Sequence, residues 1–211
     1  MNVSVTFPLT NQELFDVGKG LPVRFPASFD EYWTLLEAAV YRVDYFDHEI
    51  IATMSYESEF HSDITTEVSH ILKKIFPKSD HRFKVHNSNR PICIPDCDHA
   101  VFNPDGSVVS LPAQLYEYRP GMNAELTPVL LFEVLSKNTR AHDLADKLPC
   151  YKKIPTLRQI LYLEPIRREI TVYERTVNND QWMETTLKQA DAQIQVNGQF
   201  FTLGEIYGDL Q

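Results

Sequence analysis

The stretch Thr127–Tyr151, TPVLLFEVLSKNTRAHDLADKLPCY, decides how the rest of the chain is read. Val129 to Leu135 is a short, nearly unbroken apolar run, which suits a strand buried on both faces. Glu133 interrupts it. A carboxylate inside such a strand is costly to ionise unless it is paired, hydrogen-bonded or bound to a metal. Ser136 to Thr139 supply turn and N-cap residues, and Asp143, Lys147 and Tyr151 follow at i, i+4 spacing on one helical face. A strand carboxylate followed by a helix lysine has the outline of a site. The competing reading makes Asp143 and Lys147 a solvated helix pair and leaves Glu133 at a strand end.

Working outward, the 211 residues suffice for one domain with a sizeable core. A hydrophobic content of 43% and an aromatic content of 11%, spread along the whole length, argue against disorder. The first ten residues, MNVSVTFPLT, lack the basic start and apolar core of a signal peptide, and no apolar run approaches the ~18 residues of a membrane span. A cytoplasmic protein is expected. Cys93, Cys97 and Cys150 lack the second pair that a zinc site needs, so they are expected as free thiols. The net charge of −9 disfavours a surface that binds nucleic acid everywhere, but leaves room for a local basic groove.

Pro8, Gly18, Gly20, Pro22 and Pro26 mark an irregular leader, with a short helix around Asn11 to Val17. Ser28 and Glu31 form a capping box ahead of Phe29, Trp33, Leu36 and Val40 at helical spacing. This leader and helix occupy residues 1–40, and the main domain is expected over residues 41–211. Residues 41–54 (YRVDYFDHEIIATM) read as a hairpin turning at Asp47-His48, with Glu49 opening the second strand. Phe60, Ile64, Val68, Ile71 and Ile75 form the stripe of a long helix that stops before Pro77, with His61 beside it in the first turn. A histidine there is usually a cap or a packed side chain.

Strands are expected around Arg82 to His86 and Ser107 to Leu111, with Asp96 and Asp105 in the turns between them. Residues 160–163 (ILYL) form another buried strand. Residues 169–175 (EITVYER) and 182–187 form a pair across the Asn178-Asn179-Asp180 turn, and residues 200–207 run from a strand into a helical turn. One crossover helix between two buried strands makes this an α/β or α+β domain with a mixed central sheet flanked by helices.

Taken in order, HEIIATM with His61, NPDGSVV, PVLLFEVLSKNTRAHDLADKLPCY, IPTLRQILYLEP and VYER with Trp182 resemble one family. It is the Uma-type restriction endonuclease family, also called domain of unknown function 820, a branch of the PD-(D/E)XK nuclease superfamily. The resemblance runs from about Tyr41 to about Tyr207. Its specific part is FEVLS followed by D-x-x-x-K-x-x-x-Y and IPTL.

The resemblance implies a restriction-endonuclease-like sheet with an acidic site that binds Mg2+ or Mn2+ and hydrolyses phosphodiester bonds in DNA. Carried over, the family's P-D-x-x-V-V aspartate falls on Asp105, its glutamate on Glu133 and its lysine on Lys147. Asp96, which also follows a proline, competes with Asp105. Asp105 and Glu133 are the expected metal ligands, and Glu49, His61 and Tyr151 the accessory residues. In the wider superfamily the lysine sits two residues after the glutamate, a slot held here by Leu135. His48 stands where the family has glycine, Gly106 where it has an apolar residue, and Pro149 interrupts the helix between Lys147 and Tyr151. A homodimer is expected by the same resemblance, with edge strands near Val172 as its surface. The alternative is a nuclease-fold module that binds nucleic acid or a protein partner without cutting.

Overall fold

Side-chain caps mark the starts of the helices Asn11–Gly18, Phe29–Ala38, Glu59–Ile75 and Leu203–Tyr207. In the computed structural model, which describes residues 7–54, 58–88, 90–176 and 181–208, the Thr10 hydroxyl accepts the Glu13 N–H and the Glu13 carboxylate takes the Thr10 N–H, opening α1 (Asn11–Gly18). After β1 (Val23–Pro26), Ser28 and Glu31 repeat that reciprocal cap and open α2 (Phe29–Ala38). The hairpin strands are β2 (Arg42–Phe46) and β3 (Glu49–Thr53). Their connecting residues, Asp47 and His48, both take left-handed φ values, 52° and 59°, which match the sheet's twist. The glycine usual at such a position is thus replaced by a strained His48.

The long helix is α3 (Glu59–Ile75), capped by Ser58. Strands follow: β4 (Phe83–Asn87), β5 (Ile92–Ile94), β6 (Ala100–Phe102) and β7 (Gly106–Ser110). Next come β8 (Leu115–Arg119), β9 (Met122–Glu125) and the central β10 (Pro128–Val134). The crossover comprises α4 (Arg140–His142), a π turn over Asp143–Lys147, and α5 (Leu148–Tyr151). It leads to β11 (Gln159–Glu164), β12 (Glu169–Arg175), β13 (Trp182–Leu187), β14 (Gln193–Val196), β15 (Gln199–Thr202) and α6 (Leu203–Tyr207).

The expected α+β class holds, with its strands divided between two large sheets. One runs β1-β3-β2-β6-β5-β9-β8 and the other β13-β12-β11-β10-β7-β4, while β14 and β15 pair apart. Both large sheets are mixed: β10 pairs parallel with β11, as the crossover requires, and β5 pairs parallel with β9. On the six-stranded sheet, Val108, Phe132 and Leu161 pack with Ile64, Val68 and Leu72 of α3 and with Ile206 of α6. The opposite face packs Leu131 and Ile160 against Ile92, Phe102 and Tyr151. A third layer buries Leu14, Tyr32 and Trp33 against Val43, Tyr45 and Ile50. Each fully buried aliphatic side chain contributes about 1.5–3 kcal/mol relative to exposure.

Several expectations are corrected. Phe60 is 46% exposed, and the inward place in that first turn belongs to His61. Val40 lies beyond the end of α2 and is 61% exposed. Cys97 and Cys150 are disulfide-bonded, because the turn after β5 meets α5 with the two Cα atoms 5.5 Å apart; Cys93 alone is a free thiol, and it is buried. Pro149 neither ends nor breaks the segment: the turn before it widens, with the Leu148 N–H donating to Asp143 O. Val172 lies on β12, which is covered by β11 and β13, so the edge strand on that side of the sheet is β13 and β4 is the edge on the other. The Asn178-Asn179-Asp180 turn lies outside the described residues, although β12 and β13 pair antiparallel from Arg175↔Trp182 onward. Among the described residues no helix is long and apolar enough to cross a membrane.

Candidate active site

Strand periodicity aims Glu133. Leu130, Phe132 and Val134 join the core under α3, so Leu131 and Glu133 face the crossover helix and the other sheet. Asp105 immediately precedes β7, which runs antiparallel to β10 with Gly106 opposite Phe132. The two acids therefore meet across neighbouring strands. The Asp105 N–H donates to Glu133 Oε2 at 3.2 Å, and the Val134 N–H donates to Asp105 Oδ2 at 2.8 Å. Gly106 permits this close approach, because a Cβ there would lie 2.1 Å from Cε1 of Phe132.

Cations surround the pair. Arg42 from β2 donates to Asp105 Oδ1 at 3.0 Å, and Nε2 of His61 from α3 lies 3.1 Å from Oδ2. Lys147 donates to Glu133 Oε1 at 3.0 Å, and the Tyr151 hydroxyl donates to the same oxygen at 2.7 Å. Lys147 is 2% exposed and lies 3.0 Å from Asp143 Oδ1, so the pair with Asp143 is buried rather than solvated. Tyr162 supports that turn by donating its hydroxyl to the carbonyl of Asp143 at 2.7 Å.

A third acid belongs to the cluster and was not singled out in the sequence. Asp44 of β2 is 2% exposed; its Oδ2 lies 3.6 Å from Lys147 Nζ and 3.0 Å from His142 Nε2. Its Oδ1 accepts from the backbone and side-chain nitrogens of Asn103, at 2.8 and 3.0 Å. The signal was available: Asp44 sits between Val43 and Tyr45 in a strand, as Glu133 sits between apolar neighbours. His142 also meets Asp146 through Nδ1 at 2.8 Å. Asp146 pairs with Arg24, which reaches Glu49 at 3.0 Å. Glu49 thus stands at the outer end of this chain of contacts, away from Glu133. Asp96 lies exposed in the Pro95–Cys97 turn.

The electrostatics divide the acids. Burial pushes Glu133 up to about 7; Lys147 pulls it back, while Asp105 and Asp143 add to the rise. Burial also works against ionising Asp105, but the His61 hydrogen bond and the Arg42 charge overcome it and hold Asp105 below the usual range. For Asp44 the overriding groups are Lys147 and His142. Burial opposes the Lys147 ammonium, and Asp143, Glu133 and Asp44 hold it well above its ordinary value. Four carboxylates, Asp44, Asp105, Glu133 and Asp143, face the two permanent cations Lys147 and Arg42.

That donor set suits a hard divalent cation. Among the described residues no three His, Cys, Asp or Glu side chains converge as ligands. Magnesium, however, commonly uses one or two carboxylates and keeps water in its other positions. Asp105 and Glu133 are such a pair, and Glu133 Oε2 is the lesser-bonded oxygen of its carboxylate, with the 3.2 Å N–H of Asp105. A cleft of ≈ 560 Å³ is lined by Arg42 and Asn103 with Trp33, Met122 and Asn123; Asp105, Glu133 and Lys147 are buried behind this wall rather than part of it.

No protein of curated function matches the chain. A crystal structure from Anabaena variabilis, described as "a putative nuclease belonging to DUF820", superposes with a TM-score of 0.62 at 16% identity, covering 95% of this chain and 98% of that one. At that identity the likeness shows the fold. The model of the Uma2 family, described as "Putative restriction endonuclease", matches residues 29–201. With the match spanning most of its length, the chain belongs to the Uma2 restriction endonuclease family.

Proposed function

We propose that this protein is a divalent-cation-dependent endonuclease that hydrolyses phosphodiester bonds in DNA. One observation carries the reading: Asp105 and Glu133, buried on adjoining strands, are bridged by a 3.2 Å backbone hydrogen bond, with Lys147 3.0 Å from Glu133. Asp105 and Glu133 would hold Mg2+ or Mn2+. When bound, such a cation neutralises phosphate charge and lowers the pKa of a coordinated water.

The chain's own residues have separable tasks. Glu133, beside Asp105 on the adjoining strand, would serve as a carboxylate ligand of that cation. Lys147 and Tyr151 fix its Oε1, while its Oε2 accepts the 3.2 Å N–H of Asp105. Arg42, in the wall of the cleft, places positive charge where a scissile phosphate would enter. His61 orients Asp105 through its Oδ2.

A homodimer belongs to the same proposal, with the open strand β13 in place of Val172 as its edge. The reading without cleavage is favoured by a different observation: each oxygen of Asp105 and Glu133 already accepts from a protein donor. A crystal soaked in manganese separates the two. An anomalous peak between Asp105 and Glu133 supports the enzyme, and a fully loaded crystal without that peak supports the binding module.

A further inference from the structure

The chain carries a net charge of −9, yet cations gather where α5 ends. Lys152 and Lys153 follow Tyr151 directly, Arg158 precedes β11, and Arg175 closes β12. Strand alternation gathers them on one side. Arg158 shares the face of Ile160 and Tyr162, and Arg175 shares that of Tyr173, whereas Glu174 lies on the opposite face with Ile170 and Val172. Glu184, opposite Tyr173 on β13, is an acid on the cationic face.

The arrangement is built. Arg158 and Arg175 each donate to the carbonyl of Pro155, at 3.4 and 3.0 Å, so two guanidiniums are drawn to one oxygen. Arg175 donates also to Lys152 O at 2.6 Å and lies 4.9 Å from the centroid of the Trp182 ring. Lys152 Nζ lies 4.3 Å from the centroid of Tyr173. Attraction of cations to the carbonyls at a helix end accounts for Arg175. It does not account for Lys153 and Arg158, which are exposed and form no ion pair among the described residues.

We propose that this patch binds the phosphodiester backbone of the DNA substrate, which rests on the nuclease reading above. Paired guanidiniums suit phosphate oxygens, and adjoining aromatic faces recur where proteins track a nucleic-acid strand. Lys152 follows Tyr151, whose hydroxyl meets Glu133. From Lys147 to Lys152 a helix rises about 7–8 Å, on the order of two base-pair steps of ~3.4 Å. Glu133 lies opposite Tyr162, four residues along the chain from Arg158 or about 13 Å at ~3.3 Å per residue, so a duplex engaged at the carboxylates and running along β11 would pass within reach of these cations.

The test is fluorescence anisotropy with a labelled DNA duplex over a range of salt, comparing the parent with the double variant Lys153→Gln/Arg158→Gln. Both side chains lie on the surface outside the catalytic cluster, so folding is expected to be retained. Affinity should fall roughly tenfold or more, and the salt slope should drop by about two, one for each lost phosphate contact. A parent that binds and nicks DNA beside a variant with unchanged affinity and slope overturns the patch and leaves the nuclease reading standing. A parent that neither binds nor nicks DNA sinks both. Phosphatidylserine vesicles supply the remaining arm: vesicle binding lost in the variant, with DNA affinity unchanged, would assign the patch to anionic membrane and overturn the proposal.

Discussion

The Tyr151 hydroxyl and the Lys147 ammonium converge on one oxygen, Oε1 of Glu133, at 2.7 and 3.0 Å. The residues are four apart, and the π turn ending at Lys147 lets both reach the strand even though Pro149 lies between them. Tyr151→Phe removes a single hydrogen bond to a charged group and should cost about 1.5–3 kcal/mol. Urea unfolding measures it. A loss below about 0.5 kcal/mol would mean that the bond does not persist in solution.

Lys147 is held by three buried carboxylates, so its removal should damage the fold as well as the chemistry. Lys147→Ala removes the one ammonium shared by Asp44, Glu133 and Asp143 and is expected to destabilise by about 3–5 kcal/mol. A variant as stable as the parent would show that the ammonium is solvated.

Glu133 gives stability a pH signature. Its folded value, raised to about 7 by burial, exceeds its ordinary value of 4.5. Its contribution is then fully present below 4.5 and is lost as pH rises through about 7. Asp44 and Asp105 are depressed, so theirs is present above the ordinary value of 3.8 and lost as pH falls through their lowered folded values. Unfolding free energy should decline between about pH 4.5 and about pH 7 in the parent and stay flatter in Glu133→Gln. Equal slopes in the two proteins would show that Glu133 titrates normally.

Gly106 separates packing from chemistry. Any Cβ there meets the buried Phe132 ring at 2.1 Å, so Gly106→Ala should cost about 1–3 kcal/mol by overpacking. Adding Phe132→Leu should recover part of the loss. If the double variant melts below the single one, the clash is not the cause.

Legibility followed local pattern. The apolar run through Glu133 and the i, i+4 series of Asp143, Lys147 and Tyr151 announced a strand, a crossover helix and one shared face, because each depends on neighbours in the chain. Asp105 needed the resemblance, since a proline-aspartate turn alone does not reveal which strand it will meet. Asp44 was passed over because the hairpin was read for its turn. Only the pairing of β2 with β6 and the approach of α4 give Asp44 its partners Asn103 and His142, which are 59 and 98 residues away. The disulfide escaped for the same reason, with 53 residues between Cys97 and Cys150. Glu49 illustrates the converse: it opens a strand beside the site, yet its side chain turns outward to Arg24.

Plasmid nicking tests the central claim most directly. Purified parent, Asp105→Asn and Glu133→Gln are incubated with supercoiled DNA in Mg2+, in Mn2+ and in a chelator. The parent should nick only with a divalent cation, and each variant should lose roughly 10²-fold or more of that rate. A parent inactive in both metals, or variants that nick within about threefold of it, a difference of roughly 0.65 kcal/mol, would contradict the assignment of Asp105 and Glu133 as the catalytic pair.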